Sequence, residues 1–349
     1  MKYKLSELAE VKYGKDHKKL VDGTIPVFGS GGLMRMVNQF IYDGESVLIP
    51  RKGTLDNIQF VSGKFWTVDT LFYTIINKEY VLPRYLFYLL RSIKFSEMNV
   101  GSAVPSMTTA VLNDLEFDIP KIEVQKRIIT IIKSLEDKIS KNNQTNDNLQ
   151  KVAQELFINL YESNSSEVRE TTIEMIANVS AGGDRPETMS EIKTDECYIP
   201  IYSNGITDKG LYGYTNSAKI MEEAVTISAR GTIGFVCLRS SQYYPIVRLI
   251  SVVPKDKEVI SSEFLYLWFN NQKIEGNGST QQQLTIPMVK EYKINLLDEL
   301  TLKDFSSNIK PIFNSIYQNE EENQILTQLR DTLLPKLMAG EIDLDKIEI

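Results

Sequence analysis

The sequence predicts an α+β fold: two tandem globular domains separated by two long helices that pack as an antiparallel coiled coil, with internal pseudo-two-fold symmetry. Three observations predict it. The chain repeats itself along its length, each half of the repeat ends in a long amphipathic helical pattern, and both helical patterns are interrupted at matching places by a pair of asparagines. The expected boundaries are a globular domain over residues 1–120, a first long helix over 121–165, a second globular domain over 166–297, and a second long helix with a C-terminal tail over 298–349.

In chain order, Lys4-Leu5-Ser6-Glu7-Leu8-Ala9-Glu10-Val11 has its echo in Thr172-Ile173-Glu174-Met175-Ile176-Ala177-Asn178-Val179, an amphipathic turn or two of helix in each half. Ile25-Pro26-Val27-Phe28 matches Ile199-Pro200-Ile201-Tyr202, and each runs into a polar loop, Gly29-Ser30-Gly31-Gly32 and Ser203-Asn204-Gly205. Val47 to Thr54 aligns with Val225 to Thr232, a strand running into a basic Gly-Thr turn. Aromatic strand residues follow in both, Phe65-Trp66 and Tyr243-Tyr244, and are read as core. The helical stretch from Tyr85 to Leu90 mirrors Phe264 to Phe269, and Gly101-Ser102 mirrors Gly278-Ser279.

The two long helices match at a constant offset of 177 residues. Ile132, Leu135, Ile139, Leu149, Val152, Leu156 and Leu160 map onto Ile309, Ile312, Ile316, Leu326, Leu329, Leu333 and Leu337, one face near the heptad spacing. Asn142 and Asn146 interrupt the first stripe, Asn319 and Asn323 the second. Asparagine in a seam costs stability and specifies register. In an antiparallel pair of helices about 60 Å long, Asn142 is expected opposite Asn323, and Asn146 opposite Asn319.

Composition excludes several classes. No run approaches the length of a membrane-spanning helix and the N-terminus lacks a signal-peptide pattern, so a cytoplasmic protein is expected. Two cysteines and one histidine cannot assemble a disulfide framework or a Cys/His zinc site. The net charge of −7 is unevenly spread: residues 1–95 carry 14 Lys and Arg against 9 Asp and Glu, residues 168–295 carry 13 against 15, and residues 298–349 carry 5 against 11. The acidity is concentrated in the tail, so the first domain can present a basic surface and the second at best a local patch.

Two similar units on an antiparallel helix pair share an approximate dyad with duplex DNA, and their unlike loops imply two different half-sites, hence a bipartite, asymmetric site. Here the chain resembles the specificity subunit of type I restriction-modification systems. The resemblance covers the whole sequence and rests most on Leu329-Arg330-Asp331-Thr332-Leu333-Leu334-Pro335-Lys336-Leu337-Met338-Ala339-Gly340-Glu341-Ile342, with Gly101 to Met107 and Ile119 to Ile128 in the same style. It implies two target-recognition domains, a helical ruler that docks two methyltransferase subunits, and restriction subunits where the system has them. It also implies that this chain binds no cofactor, and that S-adenosylmethionine, ATP and Mg belong to partner subunits.

The expected DNA contacts lie in the repeated loops: Ser30, Arg51, Lys52, Thr54 and Ser102 in the first half, Asn204, Arg230, Thr232, Gln281 and Gln282 in the second. Cations and backbone amides suit phosphate, and amide and hydroxyl heads suit base edges. The loops are proposed as a set, since any one of these residues can equally be an ordinary surface residue. Lys15-Asp16-His17-Lys18-Lys19 is read as a solvated charge cluster.

No catalytic residues are expected. The Asn/Asp-Pro-Pro-aromatic clamp of adenine methyltransferases, the phosphate loop of ATPases and the Gly-x-Ser-x-Gly elbow are all missing from the sequence. Glu191-Ile192-Lys193 and Glu291-Tyr292-Lys293 have nuclease-like letters, but such tripeptides are common. The competing reading is a tandem protein-binding adaptor; a related restriction system with different partner chains is the other.

Overall fold

The computed structural model describes residues 1–98, 106–164, 168–276 and 282–344. The chain forms two compact units, one of Met1–Ser140 with Asn323–Ile349, the other of Lys141–Glu322. Each unit therefore holds about half of each long helix.

The first unit begins with β1 (Lys2–Lys4), the single turn α1 (Leu5–Leu8) and β2 (Ala9–Tyr13). β3 (Asp22–Gly29), β4 (Gly32–Val37), β5 (Tyr42–Asp43), β6 (Ser46–Pro50), β7 (Gln59–Val61), β8 (Lys64–Thr67) and β9 (Leu71–Ile76) follow. Then come α2 (Pro83–Arg91), α3 (Thr109–Asn113), β10 (Glu116–Asp118) and the long helix α4 (Ile122–Ser163). An antiparallel sheet has the order β2-β9-β6-β7; a second has the order β4-β3-β8-β5 with β3 and β8 parallel; β1 and β10 form a ribbon. β6 is buried along its whole length because both its faces are covered. Val47 and Ile49 point into the core built with α2, while Leu48 points to Phe65 and Leu71, as strand alternation requires.

Gln125, fully buried near the start of α4, locks that helix to the domain. Its Oε1 accepts from Leu82 N–H at 2.8 Å, and its Nε2 donates to the Tyr80 and Pro120 carbonyls at 2.9 Å each. The residue 177 positions later is Leu302, buried in an apolar core. The same anchoring position is thus filled by hydrogen bonding in one unit and by apolar packing in the other.

The second unit repeats the topology. β11 (Arg169–Thr172), α5 (Ile173–Ile176), β12 (Ala177–Ala181), β13 (Ile199–Tyr202), β14 (Leu211–Thr215), β15 (Ala224–Ile227) and β16 (Val236–Arg239) come first. β17 (Tyr244–Pro245), β18 (Ile250–Pro254), α6 (Ser262–Asn270), α7 (Ile286–Lys290), β19 (Lys293–Leu296) and α8 (Glu299–Met338) complete it. Its main sheet, β12-β18-β15-β16, has the strand order of β2-β9-β6-β7. β14-β13-β17 reproduces β4-β3-β8, including the parallel pair, and β11-β19 reproduces the β1-β10 ribbon. The parallel registers agree in detail: Val27 pairs with Trp66, and Ile201 with Tyr244.

Within each unit the helix halves run antiparallel. In the second, Phe157 of α4 packs on Phe264 of α6 and Phe305 of α8, with ring centroids 5.5 and 6.1 Å away. Further along, Asn319 Nδ2 donates to Asn146 Oδ1 at 2.7 Å, and Asn142 Nδ2 donates to a Glu322 carboxylate oxygen at 2.7 Å. Asn142 and Asn146 are both buried, so this is a polar layer inside an apolar seam. In the first unit Ile128 and Ile132 share a core with Leu334 and Leu337.

One expectation needs correction. Val152 and Leu156, placed on the buried stripe by spacing, are 48% and 40% exposed, whereas Ala153 and Phe157 are 0% and 5% exposed. Leu329, the match of Val152, is exposed as well. Beyond Asn146 the buried face runs through Leu149, Ala153, Phe157 and Leu160, because Phe264 of α6 and Phe305 of α8 pack on Phe157 and place the core on that side of the helix.

Two predictions follow from these anchors. Gln125→Ala removes the side-chain partner of the Leu82 N–H and of the Tyr80 and Pro120 carbonyls in a partly buried setting and is expected to destabilise the chain by about 1–3 kcal/mol, read as a lower urea midpoint. Asn146→Leu alone is expected to cost about 1–3 kcal/mol by orphaning the Asn319 amide, whereas Asn146→Leu with Asn319→Leu recovers most of that loss; equal losses for single and double variants would contradict the polar layer.

Candidate nucleic-acid interface

Loops from separate strands meet at one end of the sheets in the first unit. Gly14 follows β2, and a Cβ there would sit 2.0 Å from the Val68 carbonyl oxygen, so only glycine lets the chain cross this closely. Gly14 N–H donates to Leu71 O and Lys15 N–H to Thr67 O, both at 2.9 Å. This crossing carries Asp16, His17 and Lys18 to the rim of an open groove of about 570 Å3. Ser30, at the tip of the β3-β4 hairpin, lines the same groove. Its carbonyl accepts from Asn57 Nδ2 at 2.7 Å, and the Gly29 carbonyl from Gln59 Nε2 at 2.9 Å, which holds the tip.

The turn after β6 stands beside this tip. Gly53 has φ +84°, and a Cβ on it would lie 3.2 Å from Ser30 Oγ. Arg51 accepts at its carbonyl from Met107 N–H at 2.9 Å, and its guanidinium lies over the Tyr13 ring at 5.3 Å. Arg51 is thus half-buried and braced, while Lys52 and Thr54 are exposed on the turn. Ser102 lies outside the described residues, as does Gln281.

The second unit builds a related groove on two equivalent loops, those matching Asp16–Lys18 and Asp69–Thr70, with the Arg230 turn lining it where the first has its hairpin tip. A Cβ on Gly182 would lie 2.6 Å from Ile246 N, and Gly182 N–H donates to Leu249 O at 2.8 Å, the counterpart of Gly14 on Leu71. Leu284 N–H donates to Ala229 O at 3.0 Å, the counterpart of Met107 on Arg51. Gly231, like Gly53, is left-handed, at φ +71°. The open groove, about 690 Å3, is lined by Asp184, Arg185, Arg230, Val247 and Arg248 with Gly183. Thr232 and Gln282 are exposed near it in the chain.

Asn204 is placed differently from the expectation of a free base-reading amide. Its Oδ1 accepts from Ala229 N–H at 2.7 Å and its Nδ2 donates to Val247 O at 2.6 Å. Each end of the amide makes one bond that joins two groove loops, so Asn204 positions them. Arg230 is held through Nη2 donating to Gln283 Oε1 at 3.0 Å.

Arg185 and Arg248 were not among the expected contacts. Arg185 was within reach of the sequence, because superposing Gly182 on Gly14 sets it opposite His17 of the basic loop. Arg248 had no signal: it and Val247 adopt φ +65° and +53°, a conformation that β-branched residues avoid and that no local pattern announces. Of the aromatic pairs, Phe65, Trp66 and Tyr243 are core, as expected, while Tyr244 is half-buried under the Lys219 ammonium. Phe65 is buried, Trp66 Nε1 donates to Lys15 O at 2.9 Å, and Tyr243 donates to Ser251 Oγ at 2.9 Å, with burial pushing its phenol up to about 12. Among the described residues no group of three or more His, Cys, Asp or Glu is placed to hold a metal ion, and no helix is long and apolar enough to cross a membrane.

Comparison with known proteins agrees with this arrangement. The family model of the type I restriction modification DNA specificity domain matches twice, over residues 1–151 and 165–298, once for each groove-bearing half. A putative type I specificity subunit of Mycoplasma pneumoniae is 27% identical over 326 residues, covering 89% of this chain and 88% of that protein. The HindI specificity subunit of Haemophilus influenzae is 23% identical, with 82% of each chain covered. The crystal structure of the S subunit of a type I restriction-modification system from M. genitalium shares the fold at a TM-score of 0.65 and 16% identity, covering 97% of this chain and 95% of the other. Two matches of one specificity-domain model, on two copies of one fold, show that the chain belongs to the type I restriction-modification DNA specificity family.

Proposed function

We propose that this chain reads a bipartite, asymmetric DNA site and directs methyltransferase subunits, and restriction subunits where the system has them, to that site. The observation that carries the reading is that one groove, framed by equivalent loops, occurs twice with different side chains on its rim. Residues 1–120 and 166–297 act as the two target-recognition domains, and residues 121–165 and 298–349 as the spacer helices and tail. Ser30, Lys52, Thr54 and Ser102 contact one half-site, with Arg51 braced behind them. Arg230, Thr232, Gln281 and Gln282 contact the other, with Asn204 joining the Arg230 turn to the Val247 loop.

The helices offer docking surface for two methyltransferase subunits. Val152 and Leu329 are exposed apolar residues at matching positions of α4 and α8, so the same partner surface can be met twice. Methylation with S-adenosylmethionine, and any ATP- and Mg-dependent cleavage, take place in those partners within the cytoplasm; this chain contributes sequence recognition.

The first test is co-expression with the methyltransferase partner in a host without adenine methylation, read by single-molecule sequencing. A split, asymmetric methylated motif requiring both proteins is expected. A stable complex with a competent partner and no motif would instead favour a tandem protein-binding adaptor. With the motif in hand, exchanging Lys52 and Thr54 is expected to alter one half-site only; a change in both would contradict modular reading. Inserting seven residues at matching points of both helices adds about 10.5 Å of helix and is expected to lengthen the spacer by about three base pairs at 3.4 Å each.

A further inference from the structure

The two grooves share a frame but differ in charge chemistry at each equivalent position. Where the first unit has His17, Lys52 and Thr70, the second has Arg185, Arg230 and Arg248. All three arginines are exposed and line one groove, and among the described residues no carboxylate forms an ion pair with any of them. Elsewhere Arg35 pairs with Asp22, Arg84 and Arg91 with Glu136, and Arg330 with Asp331. With Asp184 as the one carboxylate among the lining residues, the three guanidiniums leave this groove with an excess of positive charge, a surface suited to an electron-rich ligand.

Two of the guanidiniums, and the backbone of the third arginine, are also held. Arg185 lies over the Tyr212 ring, its Cζ 4.6 Å from the centroid. Arg230 is fixed by Gln283 Oε1 at 3.0 Å. Arg248 stands on a left-handed backbone that its own N–H ties to Gly182 O at 3.0 Å, while Val247 N–H bonds Gly183 O at 2.9 Å. A phosphate needs only a nearby positive charge, but a base edge needs a fork in a defined plane. Stacking on Tyr212 and the bond to Gln283 restrict the Arg185 and Arg230 forks as planar recognition requires, and the fixed backbone at Arg248 sets where its side chain starts.

We propose that Arg185, Arg230 and Arg248 form an arginine triad that reads guanine in the half-site of the second domain. This rests on the DNA-reading function proposed above. The acceptors are guanine O6 and N7, which take a bidentate guanidinium in the major groove. The first domain has no arginine at the equivalent positions, and its groove reads its half-site by other contacts. Arg185 and Arg248 thereby join Arg230 as specificity-determining residues.

The test uses the full chain in complex with its methyltransferase partner, bound to duplexes that carry the methylation motif with each guanine replaced in turn by 7-deazaguanine, which removes N7 and leaves the phosphates intact. For at least one guanine of one half-site, the replacement is expected to weaken binding about 5- to 150-fold. Arg185→Lys, Arg230→Lys and Arg248→Lys keep the charge but lose the fork. At least one of them is expected to abolish that sensitivity and relax the motif at that position, leaving the other half-site untouched. Because all three side chains are exposed, an unchanged melting temperature is expected to accompany the effect.

Three outcomes overturn the proposal. A motif without guanine in either half-site does so directly. Lysine variants that keep wild-type sensitivity, with alanine variants that weaken all sequences equally and lower the salt slope by about one charge each, make the triad a phosphate clamp. Failure to obtain any sequence-specific methylation removes the DNA-reading function and the triad with it, whereas the first two outcomes remove the guanine assignment alone.

Discussion

A helix of forty residues with one apolar face cannot bury that face by itself, and the rest of the structure depends on how α4 and α8 solve this. In each unit half of one helix and half of the other lie antiparallel and are closed over by a domain helix and sheet. Ile128, Ile132, Leu334 and Leu337 enter the core that holds α2. Ala153, Phe157, Phe305 and Phe313 enter the core that holds α6. Each fully buried aromatic or branched side chain contributes roughly 1.5–3 kcal/mol, so a domain and its stretch of scaffold share one core and fold together. The Asn146–Asn319 layer adds little net stability to this, but a register slip would leave its buried amides unpaired.

The two units reach one frame by different local chemistry. Gly14 and Gly182 answer the same steric demand, a backbone crossing with no room for a Cβ, and Gly53 and Gly231 the same left-handed turn. The hydrogen bonds from Met107 and Leu284 that pin the turns are likewise equivalent. Where the frame can be held in more than one way the units diverge, as Gln125 and Leu302 do. The rims diverge further, since rim side chains carry no packing constraint and are free to serve different ligands.

Net charge is a poor guide to this chain, because charge acts locally. At physiological salt the screening length is about 8 Å, so what a groove presents is set by the charges that line it. What matters is which cations lack a partner. In the second unit Arg239 is buried, stacked on Tyr202 at 3.6 Å and bonded to Thr226 and to the Lys209 carbonyl, whereas Arg185, Arg230 and Arg248 remain open to solvent.

By itself the sequence determined the duplication, the strand-and-turn frame, the long helices and the matched asparagines. Each leaves a signal that local chemistry imposes: period-two and near-seven apolar spacing, glycine where φ is positive, and the same order of elements twice. It also pointed to Ser30 and Arg230, which line the two grooves, and to Lys52 and Thr54 on the turn that meets Ser30. Only the tertiary structure decided which face of each helix is buried, because Val152 and Ala153 differ by a single step around a helix whose core comes from the domain packed on it. It alone turned Asn204 inward and lifted Arg248 into a groove on a left-handed backbone. Those outcomes depend on contacts between segments dozens of residues apart, and such contacts leave no periodicity in the chain that makes them.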